Sequence, residues 1–369
     1  MSADFDRVIT LLFSEFPVPH GDLEKLNWEQ IARSSLDLRL APMLYGALAR
    51  RKLLAHLPPA PGLQLRTAYL SNLGHSIDCI SLASQLVKLL CQSGVEVILL
   101  KGIAYVQEIY DDVGERVLGD LDLLVPPSKL AVARSVLLEA GLGEETCRDY
   151  SRHHHLAPFV APGGRRVEIH HHLAPVANPV RIETDPLWND SVPSAFLPPA
   201  RLLNPLDCVI HSSIHLIINS AVSGQIYQLI DIRRLLSVHF GDPDRYNQLL
   251  DRAAGTGTRS YVEEALRLCE SKLFLKIPLR LLERPVPVTW RIWRHLAGTT
   301  IAGQHLGSVP PLKFRLYGEV LALLHFFWNT SSLRSRIKYA ITKSVALLCH
   351  LLLERLRASR RGPRKTVSS

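Results

Sequence analysis

No two cysteines in this chain stand in a C-x-x-C spacing. The six, Cys79, Cys91, Cys147, Cys208, Cys269 and Cys349, are scattered over 369 residues. That argues against a zinc ribbon or a disulfide framework and for a reducing, cytoplasmic setting. A run of the roughly 20 apolar residues that a spanning helix needs is also missing. The nearest stretch, Val345 to Leu353, is short and interrupted by His350. The opening MSADFDRVITLLFSEF has neither a basic leader nor a small-residue cleavage motif, so no signal peptide is expected. An H-E-x-x-H helix, and with it a common hydrolytic zinc site, is absent. There is no internal repeat. Net charge is missing from most of the chain: up to residue 333 there are 33 basic and 33 acidic side chains, and the formal +9 sits in the last 36 residues. That tail holds ten Lys and Arg against Glu354 alone. A neutral body argues against a broad nucleic-acid surface. The tail reads as a solvated end, with contact to an anionic membrane or RNA as the alternatives.

What is present is an ordinary globular composition, 47% apolar and 21% charged, long enough for two or three packed units. Residues 1–93 read as helical. Val8, Leu11 and Leu12, then Ile31, Leu36, Leu40, Leu44 and Leu48, recur at three- and four-residue intervals. After the Pro58-Pro59-Ala60-Pro61-Gly62 breaker a long helix is expected, with Leu70, Leu73, Ile77, Ile80, Leu86, Leu89 and Leu90 along one side. Gly94 ends it. Residues 94–175 form the core: a strand Val95 to Leu100, a Lys101-Gly102 turn, a helix Ile103 to Tyr110, a loop with Arg116, and a strand Leu121 to Val125. A hairpin turning at Ala161-Pro162-Gly163-Gly164 closes the core. Residues 176–204 are proline-rich and read as a linker or wrapped loop. Residues 205–333 are expected to be a C-terminal helical domain, and 334–369 a basic amphipathic helix with a disordered tail. Trp290, Trp293 and Trp328 read as core or interface. The architecture expected is α+β, a small mixed sheet bracketed by helices.

The chemistry gathers in the core. Asp120 and Asp122 are one residue apart at a strand and so share a face. Like charges that close are costly unless a cation neutralises them. Glu168, on a neighbouring arm, shares a face with His170 while Val167 and Ile169 point the other way. Three carboxylates on adjacent strands fit divalent-metal phosphoryl chemistry, with Glu168 as a bridging ligand or base. The strand–Gly–helix turn at Gly102 offers backbone N–H groups to phosphate. The runs His153–His155 and His170–His172 could bring only alternate rings together. They read as groups that orient ligands or touch substrate rather than as a zinc site.

These residues, L-L-K-G, then R-x-x-G-D-L-D-L-L-V, then V-E-I-H, resemble the uncharacterised nucleotidyltransferase family of the polymerase-beta-like superfamily, over about residues 95–172. The resemblance implies metal binding by Asp120 and Asp122, completed by Glu168, and a phosphate turn at Gly102. It also implies phosphate-contact roles for Lys101 and Arg116, and site roles for His155 and His170. A downstream helical pair, His211 and His215, and Asp231 fit the same pattern. Lys101 stands where the superfamily has a small residue, and Glu168 where Asp is commoner. The implied cofactor is Mg²⁺, with Mn²⁺ as the substitute. The implied donor is an NTP, ATP first, and the acceptor an unidentified hydroxyl on a small molecule, peptide product or protein. Peripheral membrane contact through the basic C-terminus is a further expectation, and nucleic acid ranks behind it. The competing expectation is a nucleotide-binding or scaffolding protein that performs no turnover.

Overall fold

The structure is a computed structural model that describes residues 3–13, 23–145, 150, 153–174, 182–218 and 226–278. The tryptophans at 290, 293 and 328, the basic amphipathic helix and the tail lie outside the described residues. The protein is α+β. Helices α1 (Ala3–Phe13), α2 (Trp28–Asp37) and α3 (Ala41–Arg50) pack together and against α4 (Pro59–Gln92). Asn27 caps α2, its side-chain oxygen accepting from the Gln30 N–H at 3.1 Å.

The hydrophobic run after Gly94 becomes β1 (Ile98–Leu100), buried on both faces. A short helix α5 (Lys101–Tyr105) follows, and turns carry the chain on to Tyr110. Next come β2 (Leu121–Leu124), α6 (Leu130–Glu139), β3 (Gly143–Glu144), β4 (Phe159–Val160) and β5 (Arg166–His170). β4 and β5 form the expected hairpin, with Gly163 and Gly164 at φ 92° and 82°, values that glycine adopts without a Cβ clash.

The stretch expected to act as a linker joins the sheet instead. It holds α7 (Thr184–Asn189), β6 (Val192–Pro193) and β7 (Arg201–Leu202), and β7 pairs with β1 in parallel. The reason is local: Leu197, Ala200, Leu202 and Leu203 bury apolar surface that a solvated spacer would expose. The sheet order is β3-β4-β5-β2-β1-β7-β6, which places β2 and β1 at its centre. Helices α8 (Pro205–Ile218), α9 (Ile226–His239), α10 (Pro243–Gly255) and α11 (Arg259–Leu273) complete the described fold, with α8 against α9, α10 and α11. Among the described residues no helix is long and apolar enough to cross a membrane.

Helix α4 buries Leu86 and Leu90 of the expected side, but over its first half a different side faces inward. It buries Leu65, Asn72, Ser76, Cys79, Ala83, Leu86, Val87 and Leu90, and leaves Leu70, Ile77 and Leu89 exposed. The polar members of the inner side serve the loop that leads to β2. Asn72 Nδ2 donates to Gly114 O at 2.7 Å, Ser76 Oγ to Arg116 O at 3.4 Å, and His75 Nε2 lies 2.9 Å from Leu118 O. Tyr69 donates to Asp112 at 2.9 Å. A buried loop carbonyl needs a donor, and here α4 supplies one after another.

Candidate active site

Pairing register brings the chemistry together. Asp122 lies opposite Leu100 on antiparallel β1 and beside Glu168 on parallel β5. Directly paired residues share a face, so Glu168 and His170 stand with Asp122 while Leu123, Val167 and Ile169 turn into the core. Lys101 follows Leu100, and its Nζ donates to Asp122 Oδ1 at 2.6 Å. His170 Nε2 is 2.8 Å from the same oxygen and 3.4 Å from Glu168 Oε2. One ligand atom each from Asp122, Glu168 and His170 falls within 4.8 Å of the others. Asp120, just ahead of β2, is outside that trio, yet Glu168 is close enough to act on its charge.

The electrostatics follow from this placement. Burial raises the Asp122 carboxyl, but the Lys101 ammonium and the His170 hydrogen bond outweigh it and hold the group well below the ordinary carboxylate range. Burial likewise works against ionised Glu168, and the His170 hydrogen bond together with Lys101 prevails over burial and Asp122, keeping it low. Asp120 is pushed up, by burial first and by Glu168 second. Lys101 holds φ 52°, where a residue with a Cβ is strained by about 1–2 kcal/mol. The strained backbone here places an ammonium on the buried carboxylate.

Imidazoles surround the trio. The His154 and His155 rings lie with centroids 5.0 and 5.4 Å from that of His170, and His155 bridges His170 in antiparallel fashion. From α8, His211 is 1% exposed, and burial, then Lys101, lowers its pKa far below the usual value. Burial and Lys101 bring His215 down to about 3. His154 Nδ1, His170 Nδ1, both His211 ring nitrogens and His215 Nδ1 are buried with no hydrogen-bond partner among the described residues. Each such atom costs about 1–3 kcal/mol. A cluster of them facing ionisable groups is what a site adapted to a polar ligand looks like.

Two residues expected at the phosphate turn are held otherwise. The Arg116 guanidinium donates through Nε to Asp231 Oδ1 at 3.0 Å and through Nη2 to Oδ2 at 2.8 Å, and it stacks on Tyr227 at 4.6 Å. Arg116 is 8% exposed and Asp231 2%. Burial works against this guanidinium, but Asp231 more than compensates, so its charge is locked in and used within the protein. This contact ties the β2 loop to α9 through residues 115 apart in sequence. Gly102 packs closely: a Cβ there would sit 3.0 Å from Leu118 Cδ2, which would have to give way, and 3.7 Å from the Arg116 guanidinium carbon. The residues that sequence reasoning left without an individual role include His154, whose ring packs on His170, and Glu115, fully buried between Arg50 and Arg234. His154 was legible as one of a run beside a hairpin. Glu115 had no sequence signal.

Residues 24–273 match the model of a family described as uncharacterised nucleotidyltransferase. The chain belongs to that family. The match spans well over half of the chain and takes in helices α2 to α11, so the helical regions are parts of the nucleotidyltransferase unit along with the sheet. No curated protein and no solved structure matches the chain. Family membership supports a transferase of the nucleotidyl type, and the Asp122–Glu168–His170 trio supplies a group able to hold a metal ion.

Proposed function

We propose that the chain transfers a nucleoside monophosphate from an NTP, with ATP the expected donor, to an acceptor hydroxyl and releases pyrophosphate. The observation that carries this reading is the register that sets Asp122 beside Glu168, with Lys101 Nζ 2.6 Å from Asp122. Asp122 and Glu168, with Asp120 beside them, would hold a divalent cation, Mg²⁺ or Mn²⁺. The donor set fits: two carboxylates converge on one face with ligand atoms within 4.8 Å. A cation held there neutralises triphosphate charge and increases the acidity of the acceptor hydroxyl.

The chain's own residues do the rest by position and charge. The acceptor oxygen forms a bond to the α-phosphorus, the bond to the bridging oxygen breaks, and pyrophosphate leaves with the electron pair. Asp120, with its carboxyl pushed up by burial and by Glu168, is the better base for the acceptor proton. Glu168, tied to His170, serves as a fixed ligand. Lys101 exchanges part of its contact with Asp122 for a phosphate oxygen. His155, packed on His170, orients that ring and the phosphates near it.

A second reading has one observation in its favour: Lys101 already pairs with Asp122, and His170 hydrogen-bonds the same oxygen. That pairing also suits a nucleotide-binding or scaffolding protein that performs no turnover. The test is incubation of the pure protein with each α-labelled NTP, a divalent cation and panels of hydroxyl acceptors. Label appearing on an acceptor with an equal amount of pyrophosphate supports transfer. Metal-dependent NTP binding with no label transferred to any acceptor overturns it in favour of the binding reading. Membrane contact through the basic C-terminus rests on residues outside the described set and is tested by co-sedimentation with anionic vesicles.

A further inference from the structure

We infer that His170 is itself a metal ligand, a nitrogen donor, and that the site therefore selects Mn²⁺ or another first-row transition ion over Mg²⁺. The inference rests on the divalent-metal reading of the site and sharpens it. His170 is fully buried at the end of β5, two residues from Glu168 and on the same face. Its Nε2 lies 2.8 Å from Asp122 Oδ1 and 3.4 Å from Glu168 Oε2. Ligand atoms about 2.1 Å from one octahedral ion are separated by about 3 Å at right angles; the two His170 separations stand near that spacing, and all three ligand atoms lie within 4.8 Å of one another. A carboxylate-only site would have its third oxygen from Asp120, but Asp120 is outside the converged trio and His170 is inside it.

The surroundings hold the ring in that pose. His154 and His155 pack against it with centroids 5.0 and 5.4 Å away. Its backbone carbonyl accepts from the Val125 N–H at 2.9 Å, which pins β5 against the end of β2. A surface histidine could swing away from an ion; this one has nowhere to go. The chemical consequence follows from ligand preference. Mg²⁺ takes oxygen donors and sheds water reluctantly, whereas imidazole suits the transition ions and raises affinity from Mn²⁺ upward along the first row.

The experiment uses the full chain stripped of metal, loaded with Mn²⁺, and examined by pulsed electron paramagnetic resonance. Strong ¹⁴N modulation from a directly bound imidazole is expected. It should disappear in His170→Gln while Mn²⁺ still binds, with a clear loss of affinity. Calorimetric competition should show wild type favouring Mn²⁺ over Mg²⁺ by at least about 100-fold, with the margin narrowed in His170→Gln. Mn²⁺ bound in an Asp122-dependent way but without ¹⁴N modulation overturns the inference and leaves the metal site standing. Mn²⁺ binding that is unaffected by Asp122→Asn overturns both. Should His170→Gln fail to fold, the wild-type modulation alone decides, checked by its change on ¹⁵N-histidine labelling.

Discussion

Two buried charge clusters in this protein are built from the same kinds of residue and behave differently. In the Arg116–Asp231 cluster both carboxylate oxygens are met by the guanidinium, Tyr110 adds a hydrogen bond at 2.6 Å, and Tyr227 covers the face. Nearby, Glu115 is shared by Arg50 and Arg234, and Gly46 is a glycine because a Cβ would collide with the Glu115 carboxylate. In the Arg116–Asp231 pair each charge is matched and both side chains are buried, while Glu115 is reached by Arg50 from the solvent side. Around Asp122 the matching is incomplete. Asp120 and Glu168 remain partly exposed, and five imidazole nitrogens lack partners among the described residues. Saturated ion pairs hold elements together; unsaturated groups beside partly exposed carboxylates can take a ligand. This contrast sets Arg116 in a saturated pair with Asp231 and Lys101 in the unsaturated cluster around Asp122.

The comparison can be broken most forcefully at Arg116. Removing one partner of a fully buried pair should cost about 3–5 kcal/mol, so Arg116→Met should lower the denaturant midpoint strongly. Arg116→Met with Asp231→Leu should recover part of the loss. If the double variant is merely the sum of the singles, the two groups are not coupled as the geometry requires.

The next effect belongs to α4. Asn72→Ala leaves the Gly114 carbonyl without its donor and should cost about 1–3 kcal/mol by equilibrium unfolding. An unchanged midpoint would contradict the polar-side docking of this helix.

Acid acts on the histidine shell. Burial and neighbouring positive charge bring His215 down to about 3, and burial and His172 bring His171 to about 4. Both stay neutral in the fold, while the unfolded chain takes up protons below its ordinary value of about 6.5. Their contribution to stability is therefore complete above about pH 6.5 and is lost as the pH falls toward 4 and 3. Each group contributes at most about 1.4 kcal/mol per pH unit, with half-exposed His171 giving less. His215→Gln should flatten the dependence of unfolding free energy on pH between 4 and 6.5; an unaltered slope would show that His215 is not held neutral by its burial.

The smallest effect is expected on the outer side of α4. Leu70→Gln at 50% exposure should shift stability by no more than about 0.5 kcal/mol, where an inward-facing leucine would cost several times more.

Local pattern made the strands, the hairpin and the carboxylates legible. Period-two alternation placed Glu168 with His170, and two glycines marked the turn of the hairpin. Register between β2 and β5 was not legible, because it depends on pairing across more than forty residues. That register decides that Asp122, not Asp120, meets Glu168. The side of α4 that docks was misjudged because Asn72 and Ser76 look solvent-facing until the loop carbonyls they serve are known. Arg116 followed the same rule: its neighbours in sequence pointed to phosphate, and a partner on α9 claimed it. The Pro-rich stretch hid two short strands whose pairing, β7 on β1, is non-local.

The central claim is that the Asp122 cluster does chemistry and the Arg116 cluster holds the fold. Pyrophosphate release by folded Asp122→Asn protein tests it most directly, in the presence of NTP, divalent cation and a competent acceptor. Loss of the wild-type rate by about 10³-fold or more, with a thermal midpoint much nearer wild type than that of Arg116→Met, is the predicted result. A rate within a few-fold of wild type would contradict it.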